Sequence, residues 1–177
     1  MAEPITLALA KKHLRVDHSE EDDLIGGMIA DARAWVEEYT GQTLVQAPLT
    51  EQINGFEAQL LAWPIASVTG VTYLDADGAE QELTDDVWEL RNAKRPAALR
   101  LKSGAQWPTV RHGNGAITVE LTAGYATLDE IPGGIRRAMY VLLEGYYSRD
   151  AKALAEAIAT AKRSCGPKSR GWRLPCR

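Results

Sequence analysis

The sequence predicts an α+β fold: an N-terminal helical pair, a β-rich middle of short antiparallel strands, C-terminal helices packing with the N-terminal ones, and a basic tail. Three observations predict it. Apolar residues recur at helical spacing near both ends of the chain. Between them, short runs of Val, Thr, Ile and aromatic residues are broken by Gly, Pro, Asn and Asp. The two patterns are segregated, not alternated as βαβ units would be. With 177 residues, 45% of them hydrophobic and 25% charged, the chain is ordinary globular material able to bury about 70% of its surface without metals or disulfides.

The first helix is expected over 6–16, with Leu7, Ala10 and Leu14 on one face and Lys11, Lys12 and Arg15 elsewhere. An acidic linker, DHSEEDD, follows at 17–23. Ser19 is placed to cap the second helix with Asp22 as capping-box partner, and the acids suit a helix N-terminus. That helix, expected over 20–40, carries the clearest stripe: Leu24, Ile25, Met28, Ile29, Ala32, Trp35, Val36 and Tyr39. Asp31, Arg33, Glu37 and Glu38 lie opposite, and Gly41 supplies a stop.

The β-rich segment spans 43–124, with strands expected at 44–53, 58–61, 68–74, 80–83, 87–91, 98–101 and 116–121. Asp77-Gly78 marks a hairpin turn. Trp63-Pro64 and Trp107-Pro108 mark turns or strand edges, because proline cannot donate to a ladder. Helix returns over 131–148, with Asp129 or Glu130 as cap, Pro132 in the first turn, and a stripe of Ile135, Ala138, Met139, Leu142, Leu143 and Tyr146. An Ala-rich helix over 151–161 has only Leu154 and Ile158 on its apolar side, so it calls for a partner surface; Gly166-Pro167 is expected to end this segment. The domain reading is a core over 1–149, followed by the Ala-rich helix and basic tail over 150–177.

Charge is uneven. From Arg149 to Arg177 there are eight Lys/Arg and two Asp/Glu, while the preceding residues hold twelve basic and 22 acidic residues. A cationic extension on an acidic body is an interaction segment for nucleic acid, an acidic protein surface or another copy. Within it Lys162, Arg163, Lys168, Arg170 and Arg173 surround Trp172 and Leu174, and Trp and Arg are the types that most often anchor protein interfaces.

Chemistry is sparse. His13, His18 and His112 are isolated, without metal-ligand spacing. Asp75-Ala-Asp77-Gly78 resembles part of a calcium loop, but the twelfth position is Asp86 where a glutamate is needed, so a turn explains it better. His112-Gly-Asn-Gly115 and Ile131-Pro-Gly-Gly134 match no phosphate loop, and no nucleophile elbow occurs. The acids at 20–23 read as a solvated helix start. The reading is therefore no enzyme, no cofactor and no metal. No apolar run reaches about 18 residues, so no membrane span is expected. The start is too polar for a signal peptide, and Cys165 and Cys176 are expected as reduced thiols in a cytosol.

Several stretches together resemble the small head–tail connector proteins of long-tailed phages and prophages. They are LAKKHLRVD at 9–17 with EEDDLI at 20–25, ARAWVEEYTG at 32–41, Trp63-Pro64, VTGVTYLD at 68–75, VELTAGY at 119–125, Ile131-Pro132, and GYYSR at 145–149. The resemblance covers roughly 5–149 in order. It implies a head-completion adaptor without catalysis: a homo-oligomeric ring under the portal protein that extends the DNA channel and carries the next connector, stopper or tail component. DNA would pass without sequence-specific binding. The place implied is the virion's head–tail interface, after assembly in the bacterial host cytoplasm. By analogy the C-terminal segment docks on the portal, making Lys162, Arg163, Lys168, Arg170, Trp172, Arg173 and Leu174 the docking residues. Deleting 162–177 is then expected to spare the fold. Glu37 and Glu38 are the expected subunit-interface residues, since an acidic body with a basic extension is self-complementary and a head-to-tail contact can close into a ring. The alternative is a nucleic-acid-binding packaging or regulatory protein that uses the basic tail, with salt-sensitive DNA affinity. A third reading, an enzyme site on the β-rich middle, would show itself as a ligand- or metal-induced thermal shift.

Overall fold

A computed structural model describes residues 3–111 and 113–169. It contains α1 (Leu7–Leu14), α2 (Asp22–Thr40), β1 (Ala47–Ile53), β2 (Gln59–Leu60), β3 (Ile65–Leu74), β4 (Glu80–Glu82), β5 (Trp88–Arg91), β6 (Ala97–Leu101), β7 (Ile117–Ala123), α3 (Gly133–Tyr147) and α4 (Ala151–Ser169). The α+β class and the packing of N-terminal on C-terminal helices are as the sequence predicts. The described residues form two compact units, a helical unit from residues 3–45 and 125–169 and a β unit within Gln46–Gly124. The division falls at both ends of the β-rich segment, and α4 shares the core of the other helices.

In the helical unit, Thr6 starts α1 by accepting the Leu9 N–H at 3.3 Å. The expected capping box at Ser19 does not form: α2 starts after Glu21 without a side-chain cap. Lys11 Nζ instead reaches the Asp22 carboxylate at 2.5 Å, tying α1 to α2. Gly41 ends α2 in the left-handed conformation, φ 59°, its N–H on the Glu37 carbonyl at 2.8 Å. Ile25, Ile29, Ala32 and Val36 meet Ile135, Ala138, Met139, Leu142 and Leu143 of α3 in the core. The rest of the α2 stripe is not fully covered: Leu24 is 42% and Tyr39 36% exposed, with Met28 and Trp35 half-buried.

Residues Leu128–Glu130 form a 3-10 turn whose Glu130 carboxylate accepts the Ala126 N–H at 3.1 Å and the Thr127 hydroxyl at 3.2 Å. Neither Asp129 nor Glu130 caps α3, and Pro132 is its N-cap residue, one place before the first turn. Ile131 is extended, the conformation a following proline imposes, so the helix cannot start earlier.

The partner surface that the Ala-rich helix calls for is α3. Ala157, Ala161 and Cys165 of α4 are buried. A Cβ on Gly145 would stand 2.6 Å from the Ala157 Cβ, and one on Gly134 would stand 2.6 Å from the Ser164 carbonyl oxygen, so both glycines permit the close approach. The same packing corrects the expected stop: α4 runs through Gly166-Pro167 to Ser169. Burial of Cys165 supplies stability that local propensity withholds.

The β unit holds two antiparallel sheets, ordered β1-β7-β3-β4 and β2-β6-β5. Central β7 alternates as a half-buried strand should, with Ile117, Val119, Leu121 and Ala123 inward. They join Ile53, Val71, Leu99 and Trp88 in a second core, and Phe56 stacks on Trp107 at 4.5 Å. The Asp75–Gly78 turn forms: the Asp75 carboxylate accepts the N–H groups of Asp77 and Ala79 at 3.0 and 2.9 Å, and Gly78 takes φ 84°. A hydrogen bond from the Gln81 amide, followed by those from the turn N–H groups, holds the Asp75 carboxyl below its ordinary value. The carboxylate is engaged in turn formation, which accounts for the motif without calcium.

Candidate interaction surfaces

Among the described residues no three His, Cys, Asp or Glu side chains gather to hold a metal. His13 Nε2 lies 2.9 Å from a Glu144 carboxylate oxygen, and His18 Nδ1 lies 3.4 Å from one of Glu20. His112 lies outside the described residues. No described helix is long and apolar enough to cross a membrane. The Cys165 thiol is buried, and desolvation pushes its pKa up to about 11, which leaves it a poor nucleophile at neutral pH. What the structure offers is surface for contact.

The expected docking residues divide in two. Lys162 and Arg163 are exposed on α4, on the side away from Ala161 and Cys165, and Arg163 donates to the Thr160 hydroxyl at 2.8 Å. Lys168 lies in the last turn of α4, with its side chain outside the described set. Arg170, Trp172, Arg173 and Leu174 lie outside the described residues. Because Ser164 and Cys165 pack on α3, deletion of 162–177 would remove part of the core. The cut that tests the tail begins at residue 170.

Glu37 and Glu38 differ. One Glu37 carboxylate oxygen accepts the N–H of buried Leu44 at 2.8 Å, and the other accepts from Arg33 at 3.0 Å. Arg33 also grips Glu3 in a two-pronged pair at 2.8 and 3.2 Å, and chiefly that bond raises the guanidinium pKa. Glu37 therefore fixes the turn after α2, whereas Glu38 is exposed and available to a partner.

Two further surfaces escape the sequence reading. The first is a groove of about 580 Å³ in the helical unit, formed by α2, the end of α3 and the start of α4. Leu24, Met28, Tyr146 and Leu154 line it, and exposed Asp23 and Asp31 flank it. Burial, then the charge of Asp31, raises the Tyr146 phenol pKa. Helical spacing continues the stripe from Leu24 and Met28 to Trp35 and Tyr39, whose rings stack at 5.1 Å. The signal in the sequence was an α2 stripe wider than one partner helix covers. The second surface is the β5–β6 hairpin. Residues 91–102 hold Arg91, Lys94, Arg95, Arg100 and Lys102 and no acid. Arg91, Lys94 and Arg100 are exposed and form no ion pair among the described residues, Glu89 lies across the strand from Arg100, and Leu101 occupies the other face of β6. A count of charge along the body, not only at its end, would have found it.

Residues 4–63 match the family model described as phage gp6-like head-tail connector protein. This match contains the 9–41 stretch that carries the opening of the sequence resemblance. Three solved structures share the fold over almost the whole chain. A chain from the neck of an empty gene transfer agent particle, computed with C6 symmetry, has TM-score 0.71 and 23% identity, over 98% of this chain and 94% of that one. One from the virion of a native gene transfer agent particle has TM-score 0.70 and 24% identity, over 97% and 91%. One from the neck of a native particle computed with C12 symmetry has TM-score 0.70 and 22% identity, over 98% and 94%. No curated protein matches the sequence.

Proposed function

We propose that the protein is a structural connector at the head–tail junction of a phage or phage-like particle. One combined observation carries the reading. The opening third matches a head–tail connector family, and the entire fold, both units included, is that of chains found in particle necks. The surfaces suit such a part: cationic, acidic and apolar patches are displayed for neighbours, while the one described thiol is buried and the described histidines are separate from one another. The role is assembly, without catalysis or cofactor.

In the finer reading, copies of the chain form a ring under the portal protein and extend the channel through which DNA passes. The far side receives the next connector, stopper or tail component. The ring resides in the virion after assembly in the bacterial host cytoplasm. The symmetric reconstructions of the similar neck chains support a ring. Lys162 and Arg163 on α4, continued by Lys168, Arg170, Trp172, Arg173 and Leu174, are the portal-docking element of this reading. Glu38 contributes to the subunit contact. Binding of DNA by the basic tail is the less favoured reading, because family match and fold both lead to the connector.

The test is head completion with the protein withheld and then restored. Filled heads without tails should accumulate in its absence, and tails should attach once the full chain is added. A chain lacking 170–177 should keep the fold and fail to bind portal. Tailed particles forming without the protein would overturn the connector role, whereas portal binding by the truncated chain would overturn only the docking assignment.

A further inference from the structure

The groove of α2, α3 and α4 and the β5–β6 hairpin are opposite in character. The groove displays Leu24, Met28, Tyr146 and Leu154 among Asp23, Asp31 and Asp150, with Arg149, which pairs with Glu21, as its one cation. The hairpin displays the exposed cations Arg91, Lys94 and Arg100, with Glu89, across the strand from Arg100, as its one acid. Apolar patches with a charged rim mark contact sites, and unlike patches on one subunit make the heterologous contact that closes a ring. We propose that the groove is the socket for the β5–β6 hairpin of a second copy of this chain. The inference rests on the connector reading for the presence of a neighbouring copy and adds the surfaces through which copies join.

Charge complementarity selects this occupant. Five cations in twelve residues without an acid are the densest positive stretch in the described part of the chain, while acids outnumber bases in the body as a whole. Trp172 and Leu174 of the chain's own tail are excluded by reach. Leu154 and Ser169 are about 22 Å apart along α4, and the five residues on to Leu174 span at most about 18 Å. The aliphatic stems of Arg91 and Arg100, which share one face of the hairpin, cover Leu24 and Met28, and the Lys94 and Arg100 head groups face Asp23 and Asp31. Opposed charges at the rim would also fix the register and reject wrong neighbours.

The experiment is a charge-swap cycle on the full chain, read by sedimentation equilibrium up to the highest soluble concentration, with circular dichroism to confirm folding. The parent should self-associate. Asp23→Lys/Asp31→Lys should weaken association at least about tenfold, as should Lys94→Glu/Arg100→Glu. Mixing the two variants, which supplies one parental contact and one charge-reversed contact, should restore it. Leu24→Ser should weaken association without a change of charge. Parental association by both charge variants, or failure of the mixture to recover, overturns the pairing. A parent that stays monomeric overturns a second copy as occupant, and association lost on truncation at 170 assigns the groove to a neighbour's tail. The portal-binding and head-completion assays above judge the connector reading separately, so its failure and this one are distinguishable.

Discussion

Replacing Gly145 by alanine tests the helical unit where its tolerance is smallest. The new methyl would lie 2.6 Å from the Ala157 Cβ and 3.4 Å from Leu154 atoms. Carbon–carbon contact is comfortable near ~3.5–4.0 Å, so α3 and α4 must part locally by roughly 1 Å. Neither side yields easily, since a Cβ is fixed to its backbone. Overpacking of this kind costs about 1–3 kcal/mol. Alanine returns about 1 kcal/mol of helix propensity, leaving a net loss of up to about 2 kcal/mol. Urea unfolding followed by circular dichroism measures the loss. Gly145→Ala combined with Ala157→Gly should lose less than the sum of the single changes, because the second change removes the obstructing methyl. A Gly145→Ala protein more stable than the parent, or a double change that loses as much as the two single changes together, would refute the close crossing of α3 and α4. The assignment of α4 to the core would fall with it.

Three other outcomes follow from single groups. Glu37→Ala should destabilise by about 1–3 kcal/mol by leaving the buried Leu44 N–H without its acceptor, whereas Glu38→Lys should leave unfolding unchanged; equal effects would contradict their different placement. In a Cys176→Ser background, thiol labelling of Cys165 at neutral pH should proceed only as fast as the protein opens. Because its pKa rises from 9.0 to about 11 on folding, its contribution to stability is complete below pH 9 and is lost as pH rises through about 11; stability that rises across that window in the parent relative to Cys165→Ala would contradict this. An NMR titration should place the Asp75 carboxyl below 3.8, and a midpoint at or above that value would contradict the turn hydrogen bonds.

Much of this fold is written in local pattern. The i, i+3, i+4 recurrence of Ile25, Ile29, Ala32 and Val36 identifies α2 and its inner face, Gly41 marks its end, and the alternation from Ile117 to Ala123 identifies β7. The departures arise where a distant partner decides. Gly166-Pro167 reads as a stop until Cys165 is seen buried against α3. Glu37 reads as a surface acid until the chain turns Leu44 back on to it. Periodicity identifies the α2 stripe but not which part a neighbour covers, so the partly exposed row from Leu24 to Tyr39 is visible only in the fold. The contact surfaces were legible in part. The cations at the chain end stand out against their surroundings, while those of the β5–β6 hairpin are spread over two strands and meet only when the strands pair.

The most direct test of the connector account is the native mass of the full chain mixed with its portal protein, with images of the same particles. The account predicts closed rings seated on the portal, with an added mass that is an integer multiple of 19.4 kDa. A chain that remains at its single-copy mass in the presence of portal, with no added density below it, would contradict the account.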